Sequence, residues 1–434
     1  MYLPAAGLGT RHTQTLLLFL SMLLLYCMRV NISLAIVDMT DTTKEGHFDW
    51  SHSVQSKILS SFFWGYIMLQ VPAGELSRRY GGKIFLTISM IMNAAVSLIT
   101  PLAVKLVSSK QDTVTSACSE KKKKGGWKLI CACRMLQGFS QAFLFPATHH
   151  LVTQWIPFEE RGLLCNVIYA GGKLGVALQL LSSGFIASAW GWEAIFYTNA
   201  LLGAIWVVCY LMFGSASLET SKAISANELK YIQVSLGRVG EQKRYPTPWR
   251  SVVTSLPFLA AVVAHCGQNW GFFTLLTEIP TYMSKVLGMD IKKNGMLSSL
   301  PYLVVYLLSF PLGAMTDFII KKNWLSVTNT RKLFNTIGLW GPALALIALS
   351  YTPAGNLPLA VAMLTLTVGI NAGNYTGYLL IFIDIAPNFS ASLIGISNFF
   401  ASISVFFVSI DRRDVRPCNS AVVQSAVLNI KVVF

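Results

Sequence analysis

The stretch Thr15–Val37, TLLLFLSMLLLYCMRVNISLAIV, decides the fold. It is apolar over about the 17–25 residues that a helix needs to cross a bilayer, and Arg29 is its one charge. Comparable runs follow at Ile58–Leu76, Ile84–Val104 and Val252–Leu276. About eleven can be drawn in all: 15–37, 58–76, 84–104, 129–153, 163–187, 194–213, 252–276, 297–320, 333–352, 358–382 and 391–410. Repeated spans with few residues between them describe a polytopic membrane protein. Such a protein usually moves something across the membrane.

Composition narrows the class. Of 434 residues, 53% are hydrophobic and 12% charged, against about 25% charged in ordinary soluble domains. Lipid can cover that apolar surface where water cannot. A β-barrel would show alternating segments of roughly ten residues in place of continuous runs, so the class is all-α. The net charge of +15 does not point to nucleic acid, because the basic residues gather in loops and no basic-aromatic module accompanies them. The eight cysteines show no zinc-like paired spacing. Most lie inside apolar runs and read as small hydrophobes, with Cys118 and Cys418 in loops. The first run is too long, and with Arg29 and Asn31 too polar, for a signal-peptide core.

Charge fixes an expected topology. Arg11, then Arg78, Arg79 and Lys83, then Arg161, then the stretch Lys222–Arg250, then Lys321, Lys322, Arg331 and Lys332 all fall in even-numbered gaps. The excess of positive charge on cytoplasmic loops therefore places the N-terminus and the central loop in the cytoplasm. The chain divides into an N-terminal helical bundle (1–213), a central loop (214–250), a C-terminal bundle (251–410) and an atypical tail (411–434). The central loop holds a helix-prone segment, Ser225–Leu236, with Ser225 or Asn227 as its cap. Gly74-Glu-Leu-Ser-Arg78 is echoed by Gly313-Ala-Met-Thr-Asp317, each after the second span of its half. Parallel repeats of this kind bind substrate at the midplane between halves. Two regions fit poorly. Lys121–Lys124 falls in an outer gap, and no convincing twelfth span follows residue 410.

Residues then point to a family. Gly74–Lys83 (GELSRRYGGK) resembles the loop motif of the major facilitator superfamily, and Arg134-Met-Leu-Gln-Gly138-Phe-Ser-Gln-Ala142 resembles its fourth-helix motif. Around them stand Phe62-Phe-Trp-Gly-Tyr66, Phe145-Pro-Ala-Thr-His149, Pro157-Phe-Glu-Glu-Arg161, Asn294–Tyr302 and Asp384-Ile-Ala-Pro387. The ordered set resembles the anion:cation symporter family, which comprises sodium-phosphate cotransporters, sialin and vesicular glutamate transporters. Its wording is nearest to the invertebrate inorganic-phosphate-cotransporter group. The resemblance covers roughly residues 12–410 and implies two six-helix bundles, the second here lacking its last helix.

Arg29 and Arg134 are the leading substrate-binding candidates. An Arg amid an apolar span costs roughly 2.5–3.5 kcal/mol on insertion scales, so it faces a cavity or a partner. Its planar fork suits a carboxylate or phosphate. A structural ion pair between helices is the competing reading, and the resemblance favours the anion site. Phe63 and Tyr66 share a helical face. Packing is the common fate of such aromatics, while the resemblance makes Tyr66 a contact to the anion. His149 and His150 read first as satisfied structural histidines.

Four further residues are candidates for coupling or gating: Gln141, Lys173, Glu278 and Asp317. Gln141 stands where proton-coupled relatives carry a glutamate, and a carboxamide cannot titrate near neutral pH. That favours Na+ over H+ as coupling ion. Lys173 adds a positive charge in the fifth span, where the family usually has an uncharged residue. Glu278 lies near the outer end of the seventh span, where a water-exposed interfacial acid is the simpler reading. Gln268 replaces a third arginine of the glutamate transporters, and Leu59 their second-helix histidine. Ile381 and Phe382 replace an Asn-His pair, which puts polar contacts from the tenth span in question. Arg78 replaces the acid of the loop motif.

These readings predict a secondary transporter of phosphate or an acidic organic anion, working by alternating access. A sialin-like proton-coupled carrier and a truncated, non-transporting homologue are the alternatives. No zinc-binding His-Glu-x-x-His or nucleophile-elbow motif suggests an enzyme. No cofactor, metal site, nucleic acid or obligate protein partner is implied; the partners are a small anion and the lipid of a plasma, lysosomal or vesicular membrane. Asn374 and Asn388 match the glycosylation pattern, but one lies in a span and the other in a cytoplasmic gap.

Overall fold

The computed structural model describes residues 7, 9–40, 48–114, 126–237, 246–285, 291–351 and 357–411. The described side chains leave out, among others, 106–114, 273–285, 291–295 and 405–411. The lysine run at 121–124 and the tail after residue 411 lie outside the described residues.

Apolar sequence in lipid must satisfy its backbone internally, and helices do so within one segment. The first half comprises α1 (Thr10–Met39), α2 (His52–Tyr80), α3 (Gly82–Val114), α4 (Trp127–Gln141), α5 (Leu144–Trp155), α6 (Arg161–Trp190) and α7 (Trp192–Phe213). Two short helices, α8 (Ala226–Ser235) and α9 (Trp249–Val253), lead to the second half. That half comprises α10 (Leu256–Lys285), α11 (Ile291–Lys321), α12 (Val327–Ser350), α13 (Leu357–Ile370), α14 (Gly373–Thr376), α15 (Tyr378–Ile385) and α16 (Ser390–Asp411). Ser225 caps α8 by accepting a hydrogen bond from the Glu228 amide at 3.2 Å. The halves meet along α6–α11, α2–α16 and α5–α16.

Among the described residues, six stretches are long and apolar enough to cross a membrane by themselves. They are Thr10–Ile36, Gly82–Lys105, Phe158–Trp190, Trp192–Phe213, Ser299–Lys321 and Val327–Leu349. A bent pair, Val361–Ile385 and Pro387–Ser404, meets at 98° across Ala386. The other expected spans coincide with helices that are broken or carry polar side chains. The fourth span is two helices, because Pro146 has no N–H to give and its ring crowds the carbonyl one turn back, at Ala142. The tenth is interrupted between Ile370 and Tyr378 by the short α14. Both interruptions lie beside the polar centre of the molecule.

Candidate functional site

Close helix contact creates the site. Gly65 on α2 and Gly138 on α4 face each other's backbones, and a methyl on either would collide with a carbonyl oxygen, of Met135 and Phe62 respectively. Small residues allow such approach in membranes, and here they bring the Phe62 ring under Arg134. Arg134 reaches α1 and donates to the Arg29 carbonyl at 2.9 Å. It also donates to Gln137 Oε1 at 3.0 Å. Arg29 donates through Nε to Gln141 Oε1 at 3.0 Å. The Phe62 ring lies 4.9 Å from the Arg29 guanidinium carbon and 5.0 Å from that of Arg134. Tyr26 and Tyr66 flank Arg29 at 4.6 and 4.9 Å.

Both guanidiniums are enclosed, at 8% and 4% exposure. Neither forms an ion pair among the described residues, and Arg29 Nη2 and Arg134 Nε have no hydrogen-bond partner there. The competing structural reading required an acid from a neighbouring helix. Among the described residues there is none.

Gln141 is fully engaged. Besides accepting from Arg29, it donates to the Leu25 carbonyl at 3.0 Å and to Asn93 Oδ1 at 2.9 Å. Asn93 in turn donates to Ser140 Oγ at 2.6 Å and to the Ser89 carbonyl at 2.8 Å. This carboxamide positions Arg29 and ties α4 to α1 and α3. Asn93, Tyr26 and Phe62 were not singled out from sequence, although Tyr26 sits three residues before Arg29 and so on its helical face.

Lys173 joins them from α6. Gly172 and Gly175 let α1 lie against that helix: a methyl at 172 would sit 2.9 Å from the Tyr26 ring, and one at 175 would collide with the Leu23 carbonyl. Lys173 is 6% exposed, and its Nζ lies 3.0 Å from the ring centre of Phe272 on α10 and 5.9 Å from that of Tyr375 on α14. The side chain thus spans from the first half to the second. Tyr66 is buried with its ring stacked on Phe62, so its face toward Arg29 is what the structure displays. The side chain of Glu278 lies outside the described residues.

The second half answers with amides. Gln268 and Asn371 bond reciprocally at 2.6 and 2.8 Å, and Asn374 donates to Gln268 Oε1 at 2.7 Å and to the Gly338 carbonyl at 2.9 Å. The tenth span does supply polar contacts, therefore, from the break preceding Tyr378 in place of positions 381 and 382. Asn374 is wholly buried. His149 faces the Leu379 carbonyl at 3.3 Å and the Tyr169 hydroxyl at 2.9 Å, while His150 accepts from the Gly82 amide at 3.2 Å. Both make helix-to-helix contacts.

At the basic end the halves are latched. Asp317 accepts from the amides of Gly162 and Leu163 at 2.9 and 2.7 Å, where the α6 N-terminus presents free donors. Asp384 pairs with Arg161 at 3.3 Å and Arg331 at 2.9 Å. Glu75, one turn before Arg78, accepts from Thr247 at 2.7 Å and Ser392 at 3.1 Å while pairing with Arg78 at 2.7 Å. The acid missing at position 78 is thus replaced by one on the preceding turn. The two echoed segments each supply an acid that reaches the opposite half, Glu75 in the first and Asp317 in the second, though at different positions of the repeat. Within the first half, Arg11 is clamped by Glu160 at 2.8 Å and Glu228 at 3.2 Å, tying α8 to α1. Tyr231 on α8 also donates to Glu160 at 3.4 Å; burial foremost, and then Glu160 and Glu159, push its hydroxyl up to about 12.

Two facing groups of membrane helices, joined by a central segment and enclosing a polar centre, have the architecture of a membrane transporter. The Major Facilitator Superfamily family model matches residues 18–409, and the chain belongs to that superfamily, within the group of sodium-phosphate cotransporters, sialin and vesicular glutamate transporters. It is 37% identical over 414 residues to the "Putative inorganic phosphate cotransporter" of Drosophila ananassae, covering 89% of this chain and 82% of that one. It is 33% identical to human sialin, covering 95% and 84%. It is 29% identical to vesicular glutamate transporter 2 of Bos taurus, covering 90% and 66%. The solved proton:xylose symporter XylE, bound to 6-bromo-6-deoxy-D-glucose, shares the fold at a TM-score of 0.68 with 16% identity, covering 98% of this chain and 96% of that one.

Proposed function

We propose that the protein is a secondary active transporter of an inorganic or small organic anion, phosphate or an acidic organic anion, coupled to Na+ in preference to H+. The observation that carries this reading is the pair of buried guanidiniums, Arg29 and Arg134, with no carboxylate among the described residues to neutralise them. Charges held in apolar surroundings need a counter-charge, and an arriving anion supplies it. Tyr66, Tyr26 and Phe62 wall the site and hold the guanidiniums by their ring faces. Gln141 supports the preference for Na+, because its position offers no titrating group. The basic end faces the cytoplasm by the charge bias of its loops. The contacts of Glu75, Asp317 and Asp384 then describe a state closed on that side, which must part for release.

Protein reconstituted in liposomes, given phosphate or glucuronate under separate Na+ and H+ gradients, tests the reading. Uptake driven by Na+ and lost in Arg134→Ala is expected. Uptake that follows a pH gradient and ignores Na+ would overturn the coupling assignment, and normal uptake by folded Arg134→Ala would overturn the site.

A further inference from the structure

We propose that Lys173 is a specificity-determining residue that sets the charge of the transported anion at two negative charges. The inference rests on the anion-transport reading above and adds the substrate's charge class to it.

Lys173 is a third buried cation, carried by α6 beside the two arginines of α1 and α4. The neighbouring Gly172 lies against the Tyr26 ring, which flanks Arg29 at 4.6 Å. No hydrogen bond or ion pair holds its ammonium among the described residues. It rests on the face of Phe272 instead, 3.0 Å from the ring centre. A cation on a ring face is attracted without directed bonds, and the lysine stem has four rotatable carbons, so the ammonium can leave the ring for a better partner. Gly172 and Gly175 keep α1 tight against α6, and the lysine is therefore held within the same polar centre as Arg29.

The charges decide the ligand. Three cations in a poorly polarisable site repel one another strongly. A singly charged anion would leave two positive charges uncompensated, whereas a doubly charged anion leaves one. The two arginines present forked donors that fit one oxyanion face. Lys173, reaching from α6 across to the Phe272 and Tyr375 rings of the second half, is placed to take a second anionic oxygen. Among the described residues the second half adds neutral amides, Gln268, Asn371 and Asn374, which bond to one another and leave Asn374 Oδ1 without a partner. Charge selection therefore falls to Lys173.

The test uses the full chain in liposomes at pH 8. Uptake of labelled phosphate is measured against two competitors of similar shape, methyl phosphate with two charges and dimethyl phosphate with one. Labelled glucuronate, with one charge, is expected to enter far more slowly than phosphate, and equal uptake of the two would overturn the proposal. Wild-type protein is expected to favour methyl phosphate by about tenfold or more, the scale of a hydrogen bond to a charged group. Lys173→Met should erase most of that preference while leaving competition by dimethyl phosphate nearly unchanged, and Lys173→Arg should keep it. An equal loss toward both competitors, or no change toward either, overturns the proposal while leaving the transport reading standing. Absence of uptake of both labelled anions by wild-type protein overturns the transport reading itself, and this proposal with it. If Lys173→Met does not fold, Lys173→Gln is read by thermal stabilisation in detergent with the same two competitors. Glu278→Gln serves as a control: erasure of the preference by that variant as well would show that Lys173 answers to an acid and not to the substrate, and would overturn the proposal.

Discussion

The two halves of the molecule present opposite chemistry to the centre they share. The first contributes Arg29, Arg134 and Lys173, three cations with no acid beside them among the described residues. The second contributes Gln268, Asn371 and Asn374, neutral amides that close on one another. The difference separates two tasks. Under the proposed alternating access, the half that holds the described counter-charge would keep the anion while the other swings past it. Moving neutral amides through a poorly solvated centre costs less than moving ions. The halves also differ in how they are held. The first is pulled together by cation–aromatic and carbonyl contacts around Phe62, and the second by hydrogen bonds among its amides and to the Gly338 carbonyl.

The largest effect that could break this contrast comes from the arginines. Arg29→Ala or Arg134→Ala is expected to lower anion uptake roughly a hundredfold, as loss of a desolvated charge partner does, with membrane insertion preserved. Lysine at either position should rescue poorly, because it keeps the charge without the fork. Uptake assays with normalised surface expression check both outcomes. If the arginines serve structure alone, the alanine variants should fail to express, and retained uptake in the surviving protein would remove the asymmetry between halves.

Next in size is the latch at the basic end. Gly74 on α2 and Gly395 on α16 face each other across the halves, and a methyl on Gly395 would lie 2.6 Å from the Gln70 carbonyl oxygen. Gly395→Val should hold the basic end apart and lower uptake about tenfold, the range expected when a few kcal/mol of overpacking is relieved by opening. Labelling of a cysteine placed at Ser392 should increase in the valine variant. Gly184→Ala, where a methyl meets nothing within 4 Å, is the control and should behave as wild type. Unchanged labelling in Gly395→Val would show that the contact at Gly395 does not gate access.

Much of this organisation was legible in the sequence, and the remainder was hidden for physical reasons. Hydropathy located the spans because lipid demands continuous apolar length. Arg29, Arg134 and Lys173 stood out because charges are scarce in such runs. Glu75 did not, since Arg78 occupies the motif's acidic position and only the packing of α2 against α16 shows that the preceding turn supplies the acid. Asn371 and Asn374 were masked similarly. Polar residues in a span are ordinary until a helix break, here around α14, turns them toward one centre. The Pro146 break was readable from local chemistry. The sequence places the three cations in the first half, but only the positions of Phe62, Phe272 and Gly172 show how they are held at the centre.

A moderate effect would sharpen the contrast by adding an acid to the cationic half. Gln141→Glu places a carboxylate 3.0 Å from Arg29 in place of the amide oxygen. The new pair should compete with the anion, lowering uptake several-fold at neutral pH, since buried charge pairs of this kind couple by a few kcal/mol. Protonation of the new acid frees Arg29, so uptake should recover as the pH falls. Wild-type protein, with no titrating group at 141, should lack that recovery. Uptake measured across a pH series distinguishes the two, and a flat profile in the variant would show that position 141 does not reach the site.

The smallest transport effect is expected in the neutral half. Gln268→Met removes the acceptor that Asn371 and Asn374 share, so each loses one of its amide hydrogen bonds in a buried place and keeps only the one to the Gly338 carbonyl. That loss costs about 1–3 kcal/mol per unsatisfied group, which thermal unfolding in detergent should register as a lowered melting temperature. Anion affinity should move by less than about threefold, because the described counter-charge resides in the other half. The two measurements must therefore part company: stability falls while affinity holds. An affinity loss as large as that of Arg134→Ala would mean that the amides bind the substrate directly. Charge recognition would then be divided between the halves, and the swinging half could not move independently of its cargo.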